Sequence, residues 1–516
     1  MKALLLEPAT KTVVIRDIPN PTPGNGEVLV RVHAIALNPI DALYTYQPLA
    51  KQKSRVIGTD FAGIVVGTAP DIRGSGDRRT TIGARVSGFL QGAASVNDRP
   101  GAFAEYIVVP YDLLWLIPAS MSLESASAIS MCGLTAAQAL FTRLKLPCPF
   151  VSLRSSYLNE VASDAKDSEE PIHILIYGSS TSLGLYAAQL IHSCASQMTR
   201  KVRLIGIARA SQHAFLRQPP YAYDDLFDYK DSYWVDAVIN ATGGRGVQYA
   251  LDCISEGETI AKVHATFAKN VRGDGHFAVF RGPSGGRYRA DGLRVNPMYG
   301  AVWEGLGVEV EYNGSTMPAN PAARAFAAAF FSDLSSNERL KLQPNPIRLM
   351  PGGLERVVPD GFELLGKNQV SARSASHGRS EDWMRPISGE KLNDQWELNN
   401  LAHESNDTDE ETKRLIHRLN GILLFTSSCR TIAKRKIMIA QMAIFFPNLE
   451  AAMKTKYNAF FQSLPEFNFK ECLLVQVADN EEPFLPALSK KLEGDFREHV
   501  DRYADPSTNS NEGGSV

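Results

Sequence analysis

Cysteine is scarce in this chain and never clustered. Cys132, Cys148, Cys194, Cys253, Cys429 and Cys472 are scattered through 516 residues, and no two form a Cys-x-x-Cys pair. This spacing argues against a disulfide framework and a structural zinc knuckle, and it fits a reducing compartment. Long uncharged apolar runs are missing too. The opening Met1-Lys-Ala-Leu-Leu-Leu-Glu-Pro is too short for a signal peptide and reads as a first strand. Leu423–Phe446 is apolar in places but carries Arg430, Lys434, Arg435 and Lys436, which excludes a bilayer span. Neither charge sign dominates: a net charge of −2 gives no pull toward nucleic acid or anionic membrane. There are no internal repeats. The expectation is a soluble cytosolic protein, long enough for roughly two to four domains.

What is present falls into blocks. Residues 1–115 read as all-β, with runs at Val13–Ile18, Val28–Leu37, Thr59–Val66, Arg85–Phe89 and Ala102–Val109. Pro19-Asn-Pro-Thr-Pro23, Gly74-Ser-Gly76 and Arg99-Pro-Gly101 punctuate them. Residues 122–145 turn helical. The most informative segment comes next: an apolar run Ile172–Tyr177, a loop of small residues Gly178–Gly184, and a helical apolar pattern Tyr186–Ile191. The run Val202–Ala208 closes a mononucleotide-binding βαβ unit, whose loop amides and helix N-terminus make a pyrophosphate site. A βα turn that binds nothing has the same outline, because Ser180 and Leu183 stand where the dinucleotide fingerprint has glycine or alanine. Further strands at Leu226–Tyr229, Gln248–Cys253, His276–Phe280 and Val308–Tyr312 predict a doubly wound parallel sheet. Pro318–Ser335 reads as a helix, Asn345–Leu349 as a strand returning to the β-rich part, and Gly353–Leu365 as a final helix. Composition then breaks near residue 371.

Several short motifs occur in a telling order. Asn38-Pro-Ile-Asp41, Gly58-Thr-Asp-Phe-Ala-Gly63, Gly83-Ala-Arg-Val86 and Gly101-Ala-Phe-Ala-Glu-Tyr106 precede the βαβ unit. Tyr177-Gly-Ser-Ser-Thr181, Phe227-Asp-Tyr229, Tyr249-Ala-Leu-Asp-Cys-Ile254 and Pro351-Gly-Gly-Leu-Glu355 follow. Over about 1–371 this order resembles the medium-chain dehydrogenase/reductase superfamily, and within it the trans-acting enoyl reductases of fungal polyketide synthases, the lovastatin type. The resemblance implies an α/β fold: a groES-like β-rich domain (1–125), a Rossmann-type NADP-binding domain with a doubly wound parallel sheet (126–312), and a return to the first domain (313–371). After it come an expected linker (372–409) and a mainly helical C-terminal extension (410–516). The zinc-binding members of the superfamily need cysteines that this chain lacks before Cys132, so a zinc-independent enzyme is implied. His33, in a strand, is then a packed or half-exposed side chain rather than a ligand.

The same resemblance assigns roles. Thr135, in Gly133-Leu-Thr-Ala-Ala137, is the catalytic position, beside nicotinamide and substrate, or else a helix-start hydroxyl with no chemistry. Thr135, Ala136, Ala137, Gln138, Ala139 and Leu140, with Tyr299, Gly300, Ala301, Val302 and Trp303, fall where the family lines its acyl channel; buried core would look the same. Ile40, Asp41, Ala42 and Leu43 fall beside the cofactor, Ser180, Thr181, Ser182 and Leu183 at its phosphates, and Phe280, Val370 and Ser371 elsewhere along it. Arg209, with Ser211 and Gln212, follows the second strand, where arginine accommodates a 2′-phosphate and an acidic residue would bind the ribose diol. A solvated surface arginine is the alternative. Tyr229 falls near the adenine. Leu43 departs from the pattern, since many relatives have lysine there as a proton or charge donor; Lys51, Lys53 or solvent would have to substitute.

The implied function is NADPH-dependent, trans-acting reduction of an α,β-unsaturated thioester on a polyketide synthase carrier protein, by a monomer. A quinone or enone reductase acting on free small molecules shares the fold, and a non-catalytic NADP-binding partner protein is a third reading. The family's closing motif starts at Gln369-Val-Ser371, breaks off, and resumes at Ile387-Ser-Gly-Glu-Lys-Leu392. The offset, 387 − 370 = 17 residues or 51 nucleotides, matches a short intron. Val370–Pro386 therefore reads either as translated intron, whose deletion would let the closing strand pair, or as a true linker to a basic helical module that docks an acidic carrier protein.

Overall fold

Period-two burial builds the first part of the chain. Its strands are β1 (Lys2–Glu7), β2 (Thr12–Asp17), β3 (Glu27–Ala36), β4 (Arg55–Val56), β5 (Asp60–Thr68), β6 (Arg85–Phe89), β7 (Tyr106–Pro110) and β8 (Leu114–Leu116). Along β3, Val28, Val30, Val32 and Ala34 are buried, whereas Arg31 and His33 between them are not. β1 pairs with β2 and β4; β3, β5, β6 and β8 are successive antiparallel neighbours, and β7 lies on the other edge of β3. Asn38 then ends β3 and caps α1 (Pro39–Tyr46), with proline in the first helical turn. The Asp41 carboxylate accepts the Asn38 backbone N–H at 2.8 Å, holding that turn closed. Two further helices, α2 (Leu123–Ser127) and α3 (Ser130–Ala137), lead out of this half, and α3 continues into wider π-helical turns over Gln138–Arg143.

This computed structural model describes residues 1–49, 52–94, 99–150, 170–195, 197–198, 200–312, 315–336, 340–366, 370, 379, 381–387 and 389–395. All of them belong to one compact unit, Met1–His403. Lys51, Ser371 and the expected extension 410–516 lie outside the described residues.

The second sheet is parallel and six-stranded: β9 (Ile172–Tyr177), β10 (Val202–Ile207), β11 (Asp225–Phe227), β12 (Tyr249–Asp252), β13 (Gly273–Val279) and β14 (Val295–Tyr299), with α4 (Ser182–Ala195) after β9. Their spatial order is β11-β10-β9-β12-β13-β14, the Rossmann arrangement. The apolar run of β9 follows from burial on both faces: Ile174 and Ile176 pack in one core, and Leu175 in the other with Ile205, Ile207 and Phe277. The sixth strand corrects the expectation of Val308–Tyr312. Val295–Tyr299 takes that place, and β15 (Val310–Tyr312) pairs instead with β16 (Ser315–Met317) in a separate hairpin. Pro297 disguised the strand; at a sheet edge a missing N–H is tolerated.

After α5 (Pro321–Ser336), the chain returns to the first sheet through β17 (Ile347–Met350) and β18 (Lys391–Gln395). Here the structure corrects a second expectation, because 372–409 is not linker throughout. β18 lies between β17, to which it is parallel, and β3, to which it is antiparallel. The closing strand therefore pairs with 370–386 still in the chain. Part of that stretch is packed: Met384 is buried, and Arg379 and Trp383 each donate to the buried Asp360 carboxylate at 3.0 Å. The Arg348 guanidinium donates to the carbonyls of Trp383, Arg385 and Pro386.

Candidate functional site at the switch point of the parallel sheet

β9 and β12 are neighbours, but the chain leaves β9 toward β10 and β11 on one side and β13 and β14 on the other. This reversal opens a crevice beyond the strand C-termini. The loop Gly178–Thr181 sits there. Gly178 has φ of +79°, which favours glycine. At Gly184, an added Cβ would fall 2.6 Å from the Gly178 carbonyl oxygen, so only glycine lets α4 approach the loop. The Thr181 hydroxyl donates to the Gly178 carbonyl at 2.7 Å and accepts from the Gly184 N–H at 3.1 Å, so it serves the loop. Ser180, Ser182 and Leu183 are half-exposed at the same turn.

The end of β10 brings Arg209 and Tyr229 together: the exposed guanidinium lies 3.5 Å from the phenol oxygen. Asp228 anchors this corner by accepting the Ala210 and Lys230 N–H groups, which hold its carboxyl below the usual range. Ser211 is exposed and Gln212 half-buried on the same turn. Gly389 passes close by, where an added Cβ would meet Gln212 Oε1 at 3.1 Å and the Ser180 carbonyl at 3.6 Å. Val370 is elsewhere; its N–H donates to Glu256 Oε1 at 2.9 Å in the turn after β12. The Phe280 N–H, just past β13, donates to Ser255 Oγ at 2.9 Å in that turn. Asp252 begins the turn, with burial pushing its carboxyl up to about 6 against the Ser255 and Ile254 N–H donors.

The expected acyl-channel positions are brought together, but mostly as core. Ala136, Ala137, Gln138, Ala139 and Leu140 are buried, as are Ala301, Val302 and Trp303. The Trp303 ring packs 6.1 Å from that of Phe89. Thr135, Tyr299 and Gly300 remain partly open, Gly300 lying against the Arg143 guanidinium, which pairs with Glu304 at 2.6 Å. The short helical turn Val302–Leu306 rotates those side chains inward. Thr135 is mid-helix in α3 rather than at a helix start, and its hydroxyl donates to the Met131 carbonyl at 2.7 Å. Leu43 is half-buried on α1 and Lys53 is exposed.

Sequence reasoning missed a buried polar cluster where α1, β5, α3 and β18 meet. The Lys391 ammonium donates to Asn38 Oδ1 at 2.5 Å, Asp60 Oδ2 at 3.2 Å and Cys132 Sγ at 3.6 Å. Asn38 Nδ2 donates to Thr59 Oγ1 and Asp60 Oδ2, and Thr59 Oγ1 donates to Asp41 Oδ2 at 3.2 Å. Burial pushes Asp41 up to about 7. Burial also raises Asp60, with the lysine opposing it. For Lys391 burial acts downward, but Cys132, Asp60 and Asp41 outweigh it and hold the ammonium charged. Asn38-Pro-Ile-Asp41, Gly58-Thr-Asp60 and Gly389-Glu-Lys391 were each visible as motifs. Nothing in a single sequence ties positions 353 residues apart. Among the described residues, no group of three or more His, Cys, Asp or Glu could hold a metal ion. No described helix is long and apolar enough to cross a membrane.

Residues 24–119 match the alcohol dehydrogenase GroES-like domain. The chain is 30% identical over 379 residues to trans-enoyl reductase FSL5 of Gibberella zeae, covering 70% of this chain and 92% of that protein. It is 27% identical over 388 residues to trans-enoyl reductase buaC of Petromyces alliaceus, covering 71% and 96%. Among solved structures, the CurK enoyl reductase superposes with a TM-score of 0.53 at 15% identity, covering 76% of this chain and 98% of that one. Mycobacterial Rv1454c, solved in complex with NADPH, gives 0.51 at 19% identity, covering 77% and 100%. These two likenesses carry the fold.

Proposed function

The chain belongs to the trans-enoyl reductases, zinc-independent members of the medium-chain dehydrogenase/reductase superfamily, and from that membership we propose that it uses NADPH to reduce an α,β-unsaturated thioester presented in trans by a polyketide synthase carrier protein. It is an oxidoreductase of carbon–carbon double bonds. The choice of NADPH rests on Arg209, which stands at the end of the second strand where an acidic side chain would favour NADH. The Gly178 turn, with α4 held against it at Gly184, fits a pyrophosphate, with Ser180 and Ser182 hydroxyls and the first amides of α4 as its donors.

Bound there, the cofactor supplies hydride to the β-carbon of the acyl chain. The residues around the crevice have the remaining tasks. Negative charge gathers on the thioester oxygen, and a donor placed there lowers the barrier. Thr135 is the candidate, once its hydroxyl turns from Met131 toward the crevice. The Tyr299–Gly300 opening offers a way for an acyl chain, and the packed Ala301–Trp303 wall behind it excludes water.

The test is NADPH oxidation by the purified chain with an enoyl pantetheine thioester, with a free enone, and with no acceptor. Faster turnover on the thioester is expected. Preference for the free enone or a quinone would replace this reading with a small-molecule reductase. Binding of NADPH without turnover on any acceptor would identify a nucleotide-binding partner protein.

A further inference from the structure

The segments that follow the carboxyl ends of the parallel strands form the rim of the crevice, and their charges are sorted. Residues 178–181, after β9, carry none, and Arg209 stands after β10. Asp228, Lys230 and Asp231 follow β11, Glu256 and Glu258 follow β12, and Glu304, paired with Arg143, follows β14. The segment after β13 differs: residues 280–290 hold Arg281, Arg287 and Arg289 and no acidic side chain. Arg281 pairs with Glu256 at 3.2 Å. Arg287 and Arg289 are exposed, and among the described residues neither makes an ion pair. The one rim loop with an excess of positive charge therefore belongs to a chain whose net charge is −2.

This loop is pinned in place. Pro283–Gly286 makes a single helical turn, and Gly286 has no room for a Cβ against the Ser255 carbonyl. The Gly286 carbonyl accepts the Gly257 N–H at 2.8 Å, and the Tyr288 hydroxyl donates to the Arg281 carbonyl at 2.8 Å. At its start, an added Cβ on Gly282 would fall 3.7 Å from Tyr299 Cδ1, so the loop borders the Tyr299–Gly300 opening. Arg287 itself has φ of +54° and ψ of +47°, a left-handed conformation that suits glycine and that an arginine rarely adopts. The fold thus holds an exposed cation where a glycine would fit the backbone better.

We propose that Arg287 and Arg289 form the surface on which an acidic acyl carrier protein docks, so that its thioester arm enters the crevice past Tyr299. The inference rests on the enoyl reductase reading and names the face of this chain that meets the partner. Two exposed guanidinium groups without acidic neighbours are complementary to an anionic protein surface. A loop already fixed by Ser255, Gly257 and Tyr288 loses little freedom when the partner arrives. Charges at a rim steer and orient the partner more than they add to the chemistry. A substrate that arrives without the carrier does not meet them.

The experiment measures kcat/KM with NADPH for the full chain, for the double variant Arg287→Glu with Arg289→Glu, and for Arg287→Gly. Each receives the same enoyl group as a pantetheine thioester, as a phosphopantetheine thioester, and on an isolated acyl carrier domain of a fungal polyketide synthase, at low and high salt. For the double variant, about a tenfold to hundredfold loss is expected on the carrier domain and none on the pantetheine thioester. The loss is expected to shrink at high salt, where exposed charges are screened. Arg287→Gly is expected to lose part of the carrier-bound rate while melting at or above the temperature of the unaltered chain, which a structural arginine would not do. Unchanged kinetics on the carrier domain overturn the proposal, as does an equal loss on all three substrates. A loss shared by the phosphopantetheine thioester also overturns it, because the arginines would then read the phosphate of the arm and not the protein. Should the double variant fail to fold, Arg287→Gly decides: carrier-bound turnover at the unaltered rate overturns the proposal. Absence of pantetheine thioester turnover by the unaltered chain removes the enoyl reductase reading, and this inference with it. Turnover on that thioester, with carrier kinetics indifferent to both arginines, removes the inference alone.

Discussion

Among the described residues, the exposed Arg209 guanidinium makes only a long contact to Tyr229, which a stronger anionic partner would displace. A 2′-phosphate would provide one, and a charge-assisted contact of this kind contributes about 1.5–3 kcal/mol. Arg209→Ala should therefore remove most of the preference for NADPH while leaving NADH affinity nearly unchanged, as read by fluorescence titration with both cofactors. Equal losses would mark the arginine as part of the corner that Asp228 anchors. The position was legible in the sequence because it needs only a strand, its end and the residue type there. Lys391 was not, because its pairing depends on partners 353 and 331 residues away. Its own neighbourhood reads as the start of a strand. Thr135 shows the intermediate case: the motif located it, but only the folded helix shows its hydroxyl engaged by Met131.

At the level of elements, runs with strong local signals were read closely. Ile172–Tyr177 and Arg85–Phe89 match the observed strands residue for residue. The signal failed where tertiary pairing, rather than composition, makes the strand. Val295–Tyr299 contains proline and succeeds as an edge; Lys391–Gln395 is polar and succeeds because β3 and β17 flank it. Its burial explains the polar pattern, since Lys391 pairs with Asp60, and Asn393 Nδ2 donates to the Glu124 carbonyl and Ser127 hydroxyl. The segment before it is likewise engaged. Deleting Val370–Pro386 would strip Asp360 of Arg379 and Trp383, and Arg348 of three carbonyl acceptors. Unpairing buried charged groups costs about 1–3 kcal/mol each. The deletion should lower the melting temperature by several degrees in total, each kcal/mol being worth about 2 °C or less in a protein larger than about 250 residues. A rise in melting temperature would show instead that the fold closes better without the segment, as an inserted intron sequence would require.

On the scale of the described residues, two sheets with different logics meet at one apolar core while a second core covers the other face of the parallel sheet, and the chain visits the first sheet twice. Leaving after β8 and returning at β17 puts Lys391 against residues from the opening sixty, so the first sheet is completed only when the chain has passed through the second. This ordering makes a sharp expectation about truncation. A chain ending at Gly366 keeps β17 but loses β18, the strand to which β17 is bonded among the described residues, and leaves Asp60 buried without its ammonium. An uncompensated buried charge alone costs about 3–5 kcal/mol, a large share of ordinary domain stability. That chain should lose cooperative melting and NADPH binding. A chain ending at Gln395 keeps every strand of both sheets and the whole Lys391 cluster, so it should melt close to the full-length protein and bind NADPH with similar affinity. Calorimetry and cofactor titration on the two truncations separate the possibilities. If the Gln395 truncation melts many degrees lower, residues after β18 contribute to this fold and not only follow it. If the Gly366 truncation melts normally, β18 and the Lys391–Asp60 pair are dispensable to the fold.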